Sequence, residues 1–242
     1  MPDLIANWPA PPNISALTTS RMMGASFEPY DGNNLALHVG DNAIHVQKNR
    51  EELVKKLLLP REPAWLEQTH TNHCVVVEDD PERLADAAIT RSTAYPLAIM
   101  TADCLPILLC DRAGTEIAAI HAGWRGLLNG IVENTIYKMH TTPDTLLEWI
   151  GPAICNRCYE TGSEVRDAYI KRYPFTERAF YSHASRIHAD LPKMAALILE
   201  AAGVTGVYQS EACSFELEKN FYSYRRAAQT GRMATLIWFN QG

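Results

Sequence analysis

The sequence predicts an α+β fold, a mixed α/β arrangement in which helices cover a central mixed sheet. Two observations support this class. Apolar runs of strand length are concentrated between residues 97 and 120, and amphipathic segments of helix length lie on both sides of them without strict alternation. The 242 residues contain no repeat, low-complexity tract or long linker, so we expect one domain over residues 1–242.

The N-terminal third predicts loops, one helix and short strands. Residues 9–35 are rich in Pro, Ser and Asn, which is typical of loops and short strands. Apolar residues at helical spacing predict a helix over Asn42–Leu58, which Pro60 stops. We then expect a strand over Ala64–His70, with Val75–Val77 as its continuation or its partner.

The middle third predicts neighbouring buried strands followed by a helix. Leu97–Met100 and Leu105–Cys110 are apolar runs, and a turn at Asp111–Gly114 leads into a third run, Glu116–Ile120. Gly126–Met139 then carries an apolar stripe typical of a helix packed on a sheet.

The C-terminal third predicts two helices and three strands. The clearer helix begins with an Asp that can cap exposed amides and ends with a Gly that accepts a left-handed conformation. The expected helices are Ser163–Tyr173 and Asp190–Gly203, and the expected strands are Leu146–Ile150, Val207–Tyr208 and Met233–Phe239.

Composition narrows the class of function. With 22 Lys and Arg against 28 Asp and Glu, the net charge of −6 argues against a nucleic-acid-binding protein that works by neutralising phosphates. No apolar stretch approaches the ~20 residues that cross a bilayer, and no secretion signal is evident, so we expect a cytoplasmic protein. The six cysteines are too few for a disulfide scaffold and are expected to be core residues, ligands or nucleophiles.

Two segments carry residues suited to catalysis. Cys104 lies in Thr101–Pro106, and His121 opens His121–Gly126, 17 residues later. Each residue ends an apolar strand-like run and leads into a turn. A thiol and an imidazole placed in this way predict a metal site or an activated nucleophile, and the residues alone leave both open.

Five motifs, spread over nearly the whole chain, resemble the YfiH family, also known as polyphenol oxidase or laccase-domain proteins. They are Gln68–His70, Thr101–Pro106, His121–Gly126, Gly151–Ile154 and Ser223–Arg226 followed by Thr230–Ala234. The resemblance implies a compact α/β sandwich and a zinc ion held by His70, Cys104 and His121. It also implies phosphorolysis of adenosine, inosine or methylthioadenosine, with adenosine deamination as a second activity.

The ligand set suits this chemistry. Zinc accepts thiolate and imidazole, and catalytic zinc keeps three protein ligands and one open position. The separations of 34 and 17 residues along the chain match no zinc finger, so the site would be assembled from separate strand ends. Asp103, beside Cys104, is the predicted partner of a ligand or general base, with a turn cap as the equal alternative.

Phosphate and a purine need cationic and aromatic side chains. Arg125 is the first candidate for phosphate, since it precedes a predicted helix start. The further substrate-binding candidates are Arg21, Trp124 and Arg225, followed by Arg226, Phe221 and Tyr222. The chain departs from the family pattern at Arg21–Ser26, where Met23 adds bulk.

Three alternatives remain. The family shares its fold with cysteine-dependent deamidases, so Cys104 with His121 as base can make a metal-free amide hydrolase acting on peptidoglycan precursors. Copper in place of zinc would make a phenol oxidase. A binding module without catalysis is the third, disfavoured because reactive groups converge on loops beside strands. We interpret Cys155 and Cys158, a CxxC pair without a second pair, as plain thiols.

Overall fold

Two large β-sheets pack face to face in the computed structural model, which describes residues 3–240. One sheet has five strands and the other six, and a third sheet of three strands lies outside them. The strands are β1 Leu4–Ile5, β2 Ile14–Thr18, β3 Ala64–Trp65, β4 Cys74–Val76, β5 Ala87–Thr90, β6 Leu97–Thr101, β7 Leu105–Asp111, β8 Ile117–Ala122, β9 Leu146–Ile150, β10 Glu160–Thr161, β11 Phe180–His183, β12 Arg186–Ala189, β13 Gly206–Gln209 and β14 Met233–Phe239.

Five α-helices accompany the strands in the described part of the chain. They are α1 Ala43–Leu57, α2 Trp124–Leu128, α3 Ile131–Lys138, α4 Ser163–Arg172 and α5 Leu191–Ala201, with short 3-10 helices at Leu37–Val39, Pro143–Thr145 and Pro174–Ala179. Mixed sheets covered by helices confirm the predicted α+β class. Within residues 3–240 we find no helix with the length and apolar character of a membrane span.

The strand order explains how the layers form. The five-stranded sheet runs β1-β2-β14-β6-β3 and the six-stranded sheet runs β13-β9-β7-β8-β5-β4. Alternate side chains of β7 face opposite ways: Leu108 packs between the sheets, whereas Leu109 packs under the helices. Helix α1 covers the outer face of the five-stranded sheet through Leu53. Because both faces of the central strands are covered, most of their residues are apolar.

Most predicted elements are confirmed. Asn42 caps α1 by accepting from the amide of Ile44, and Asp190 caps α5 by accepting from the amide of Lys193. Gly203, with φ of 94°, follows α5 in the left-handed conformation that was expected.

Two predictions of secondary structure were wrong in extent, and one hairpin was missed. The strand expected over Ala64–His70 stops at Trp65, and β4 belongs to the other sheet. The helix expected over Gly126–Met139 is divided in two, because Gly130 adopts a φ of 91° between α2 and α3. The β11–β12 hairpin was not predicted at all.

Candidate active site

A cavity of about 460 Å³ contains the three predicted metal ligands, His70, Cys104 and His121. One donor atom from each lies within 4.8 Å of the others. His121 is buried, Cys104 is half-buried and His70 is exposed, so the group sits at the mouth of the cavity with one side toward solvent. The structure therefore brings together the set that the sequence predicted.

The antiparallel register of β7 and β8 places two of these side chains together. Leu105 pairs with Ala122, and Pro106 pairs with His121. Cys104 is two residues before Pro106, so its side chain points to the same face as His121, on the diagonal.

Gly123 keeps the space between the ligands open. A Cβ atom there would lie 2.5 Å from His70 Cδ2 and 3.3 Å from Cys104 Sγ. Only a residue without a side chain allows the backbone to approach both ligands this closely.

His70 is held by the turn that ends the β3 segment. Instead of extending the strand, Gln68 pairs with Met100 through its side-chain amide, which donates to the Met100 carbonyl and accepts from its amide at 2.8 Å each. The chain then turns, with His70 at a φ of 64°. The side chain of Gln68 thus replaces the backbone ladder that the sequence predicted here.

Asp86 fixes both histidines. Its buried carboxylate accepts from the amides of Thr69, His70 and Thr71 and lies 2.7 Å from Nδ1 of His121. With Nδ1 occupied in this way, Nε2 of His121 is the nitrogen left for a ligand or a proton transfer.

The same contacts shift the pKa values of Cys104, His121 and Asp86. Burial acts to raise the pKa of Cys104, but the charge and hydrogen bonds of His121 and His70 lower it to about 6. Burial acts to lower the pKa of His121, but the Cys104 thiolate and Asp86 raise it to about 9. Burial likewise acts against Asp86, yet its bonds to His121 and Thr71 lower its pKa to about 2. A thiolate and a cationic imidazole therefore form a pair at neutral pH in the metal-free protein.

Asp103 also lines the cavity, but its carboxylate faces the C-terminal segment of the chain. It accepts from the hydroxyl of Ser214 at 2.7 Å, the hydroxyl of Ser223 at 2.9 Å and the amide of Arg225 at 2.7 Å. Asp103 has a φ of 86°, so it makes a tight turn before Cys104. These contacts favour the alternative in which Asp103 holds the turn; the carboxylate that orients a ligand is Asp86.

Arg125, Trp124 and Arg225 line the cavity, whereas Arg21 does not. The Arg125 guanidinium is exposed and lies 4.2 Å from the centroid of the Trp124 ring. The side chain of Arg21 instead pairs with Asp31 at 2.7 Å. Its predicted contact with substrate therefore lacks support from this arrangement.

The remaining substrate-binding candidates, Phe221, Tyr222 and Arg226, make contacts within the protein instead. Phe221 and Tyr222 are buried in a small apolar cluster and present no face to the cavity. Arg226 donates to the carbonyls of Ser214, Phe215 and Phe221, so it holds a loop together.

Sequence reasoning missed other residues that line the cavity. These are His38, Tyr159, Tyr224 and Arg232. Tyr224 and Arg232 lie inside the motifs Ser223–Arg226 and Thr230–Ala234, which could have pointed to them. Asp86 carries no signal of its own in the sequence, because its contacts come from residues 15 and 35 positions away.

The donor set fits a transition-metal ion. One thiolate and two imidazoles converge on a point beside an open cavity, and a buried carboxylate orients one imidazole. The fold and the site thus define a protein with a candidate metal site beside an open cavity. The identity of the metal is a separate question, since zinc and copper both accept this set.

Comparisons with known proteins identify the family. Residues 15–240 match the family model described as multi-copper polyphenol oxidoreductase laccase. Purine nucleoside phosphorylase YfiH of Escherichia coli (strain K12) is 40% identical over 237 residues, which cover 97% of this chain and 98% of that protein. A purine nucleoside phosphorylase of Pseudomonas aeruginosa is 44% identical over 239 residues, with 97% of each chain covered. The chain belongs to this family, the YfiH family.

Solved structures agree. A Neisseria meningitidis protein superposes with a TM-score of 0.94 at 42% identity and covers 100% of both chains. YlmD from Geobacillus stearothermophilus superposes with a TM-score of 0.87 at 27% identity, covering 99% of this chain and 100% of that one. The fold predicted from the resemblance is therefore confirmed.

Proposed function

We propose that this protein is a cytoplasmic, zinc-dependent purine nucleoside phosphorylase. It would convert adenosine or inosine and phosphate into the free base and ribose 1-phosphate, and methylthioadenosine and phosphate into adenine and methylthioribose 1-phosphate. The observation that carries the proposal is the convergence of His70, Cys104 and His121 in a cavity that also presents cationic and aromatic side chains. Relatives matching almost end to end bear the name purine nucleoside phosphorylase, which supports the reaction class.

The cavity suits a nucleoside in size and chemistry. Its volume of about 460 Å³ falls within the range of small-molecule sites. Trp124, Tyr159 and Tyr224 can stack against a purine ring, since every base has a π-face. Arg125 and Arg232 supply guanidinium donors for phosphate.

Zinc, when bound, supplies a Lewis acid that polarises an oxygen of the substrate or lowers the pKa of water. The residues of the chain supply the rest. Asp86 holds Nδ1 of His121 and so fixes the direction of Nε2, and the tie between Asp103 and the Arg225 amide fixes the loop that carries Arg225. Adenosine deamination, the proposed second activity, would use the same site with water attacking C6 of the purine and ammonia leaving, whereas phosphate attacks C1′ of the ribose in phosphorolysis.

A second candidate function rests on the Cys104–His121–Asp86 chain of contacts. Without metal these three groups resemble the thiolate, imidazole and carboxylate of a cysteine amide hydrolase, and the lowered pKa of Cys104 favours nucleophilic attack. Peptidoglycan precursors would be its substrates. A copper-loaded phenol oxidase is the remaining alternative, to be distinguished by metal content.

The test is a product assay with purified protein, inosine or adenosine, and phosphate added or omitted. We expect free base and ribose 1-phosphate with phosphate, and inosine from adenosine without it. His121→Ala should lose bound zinc and at least about 10³-fold of kcat/KM, because the variant lacks a ligand and the group oriented by Asp86. His183→Ala, an exposed histidine on β11, is the matched control.

The alternatives give different results. If zinc-free protein hydrolyses a peptidoglycan precursor, and alkylation of Cys104 abolishes this activity, the result would support the amide hydrolase. Copper at stoichiometric content with oxidation of phenols would support the oxidase. If inosine stays intact with zinc and phosphate present, the phosphorylase proposal is wrong.

A further inference from the structure

A second group of possible metal ligands lies apart from the three described above. The sulfur atoms of Cys155, Cys158 and Cys213 lie within 4.8 Å of one another. Cys155 and Cys158 are half-buried, whereas Cys213 is buried. The sequence contained only the CxxC pair, and the third thiol joins it through the fold.

Backbone pairing brings the third thiol to the pair. Ala153 and Cys213 form a parallel bridge, and the amide of Ser214 donates to the carbonyl of Ala153 at 3.0 Å. The CxxC segment closes into a turn in which the Cys158 amide donates to the Cys155 carbonyl at 3.0 Å. The CxxC turn and the segment bridged to Ala153 therefore bring the three sulfur atoms together.

The three thiols are free and lie close enough to share one metal ion. Two sulfurs on one tetrahedral zinc ion, each about 2.3 Å from the metal, lie roughly 3.8 Å apart, whereas bonded sulfurs lie about 2.05 Å apart. A CxxC turn offers both thiols to one ion, and a third thiolate from another segment completes a three-sulfur set.

Polar groups surround the three sulfur atoms. The amide of Cys155 donates to Sγ of Cys213 at 3.3 Å. Arg157 belongs to the turn, and its exposed guanidinium pairs with Glu216 through two bonds of 3.1 and 2.7 Å. The Cys158 thiol donates to the Glu216 carboxylate at 3.7 Å, so a carboxylate oxygen lies beside the sulfur atoms as a candidate fourth ligand. An amide donor, a nearby cation and an oxygen ligand suit a bound zinc ion.

We propose that Cys155, Cys158 and Cys213 form a second, structural zinc site. Its position suggests what the ion would do. Tyr159 follows the CxxC turn and lines the active-site cavity, and the Arg225 side chain donates to the carbonyls of Cys158 and Glu160 at 3.4 and 3.2 Å. The ion ties this turn to the Cys213 segment and so braces one wall of the cavity. The proposal does not depend on the reaction assigned to the first site.

The first experiment counts zinc in protein purified without chelator from zinc-supplemented cells. We expect two zinc ions per chain in the wild type, one in Cys158→Ser, one in Cys104→Ser and none in the double variant. Cys110→Ser, a buried thiol outside both groups, should keep two. A wild type with one zinc ion, unchanged by Cys158→Ser, would overturn the proposal.

A second experiment does not depend on how Cys158→Ser folds. Cd²⁺ is titrated into zinc-stripped Cys104→Ser protein, and ultraviolet absorption from thiolate-to-cadmium charge transfer is recorded. We expect saturation at one equivalent, and a lower Cd²⁺ affinity with the same band at saturation in Glu216→Gln, because the variant keeps the three thiols and loses the carboxylate. Absence of the band, or a mass lower by about two hydrogens in freshly purified, non-reduced protein because two of these thiols are joined, would contradict a metal site.

Discussion

Two buried carboxylates, those of Asp86 and Asp103, hold the candidate active site together, and each connects different segments of the chain. Asp86 joins the His70 turn to His121, whereas Asp103 joins the Cys104 turn to the C-terminal segment through Ser223. Asp103 is adjacent to a predicted ligand in sequence, yet the ligand-orienting contact belongs to Asp86, 18 residues before Cys104. Adjacency in sequence therefore predicts membership of the site better than it predicts the role within it.

The comparison can be tested first at Asp86. Asp86→Asn keeps the shape of the side chain but removes the charge beside Nδ1 of His121, and loss of such a partner commonly weakens a metal site by about 10- to 100-fold. We expect a fall of this size in zinc affinity, measured by competition with a chelating dye, and a similar fall in kcat/KM.

Two controls accompany that variant. Circular dichroism checks its fold, because Asp86 also accepts from three backbone amides. Asp103→Asn should keep the zinc affinity of the wild type. Equal zinc affinities for both variants would show that the two carboxylates are not specialised as described.

The second test concerns Asp103. Asp103→Asn weakens charge-assisted bonds to Ser214, Ser223 and the Arg225 amide, so we expect a loss of about 1–3 kcal/mol in the free energy of unfolding by urea denaturation. The KM for phosphate should rise about tenfold, equivalent to ~1.4 kcal/mol. In Ser214→Ala, which removes one of these bonds, both the unfolding free energy and the KM for phosphate should change less. If Asp103→Asn instead lowered the zinc content and left the KM for phosphate unchanged, the role assigned to Asp103 would be wrong.

The third test uses the charge on Cys104. In zinc-stripped protein, alkylation of Cys104 by iodoacetamide should reach half its maximal rate near pH 6, because the His121 cation stabilises the thiolate above that pH. Cys74 and Cys110, whose pKa values burial raises to about 11 and about 12, should stay unmodified at pH 7. The modified sites are identified by peptide mass spectrometry.

The Asp86 and Asp103 variants should also differ in the pH midpoint of Cys104 alkylation. Asp86→Asn should move the Cys104 midpoint to higher pH, since the imidazolium of His121 loses a partner that raises its pKa. Asp103→Asn should leave the midpoint in place. A wild-type midpoint near 9, the value of an ordinary thiol, would exclude the ion pair.

Secondary structure was predictable where local chemistry and burial agree. Helix α5 has a capping Asp190, an apolar stripe and Gly203 at its end, and each does what its residue type predicts. The predicted strand Ala64–His70 was wrong in extent because a side chain makes the hydrogen bonds that strand backbone would make. Gln68 pairs with Met100 as a strand residue would, so the apparent strand ends early and frees the His70 turn.

The sequence by itself determined the α+β class, the apolar strands and the three candidate ligands, because these follow from residue type, from side-chain periodicity and from the family motifs present in this chain. Only the tertiary structure decided which groups meet: Asp86 with His121, Asp103 with Ser214, and Cys213 with the CxxC pair. The reason is physical. Contacts between residues far apart in the chain are set by strand register and sheet packing, and neither leaves a local pattern in the residues that it brings together.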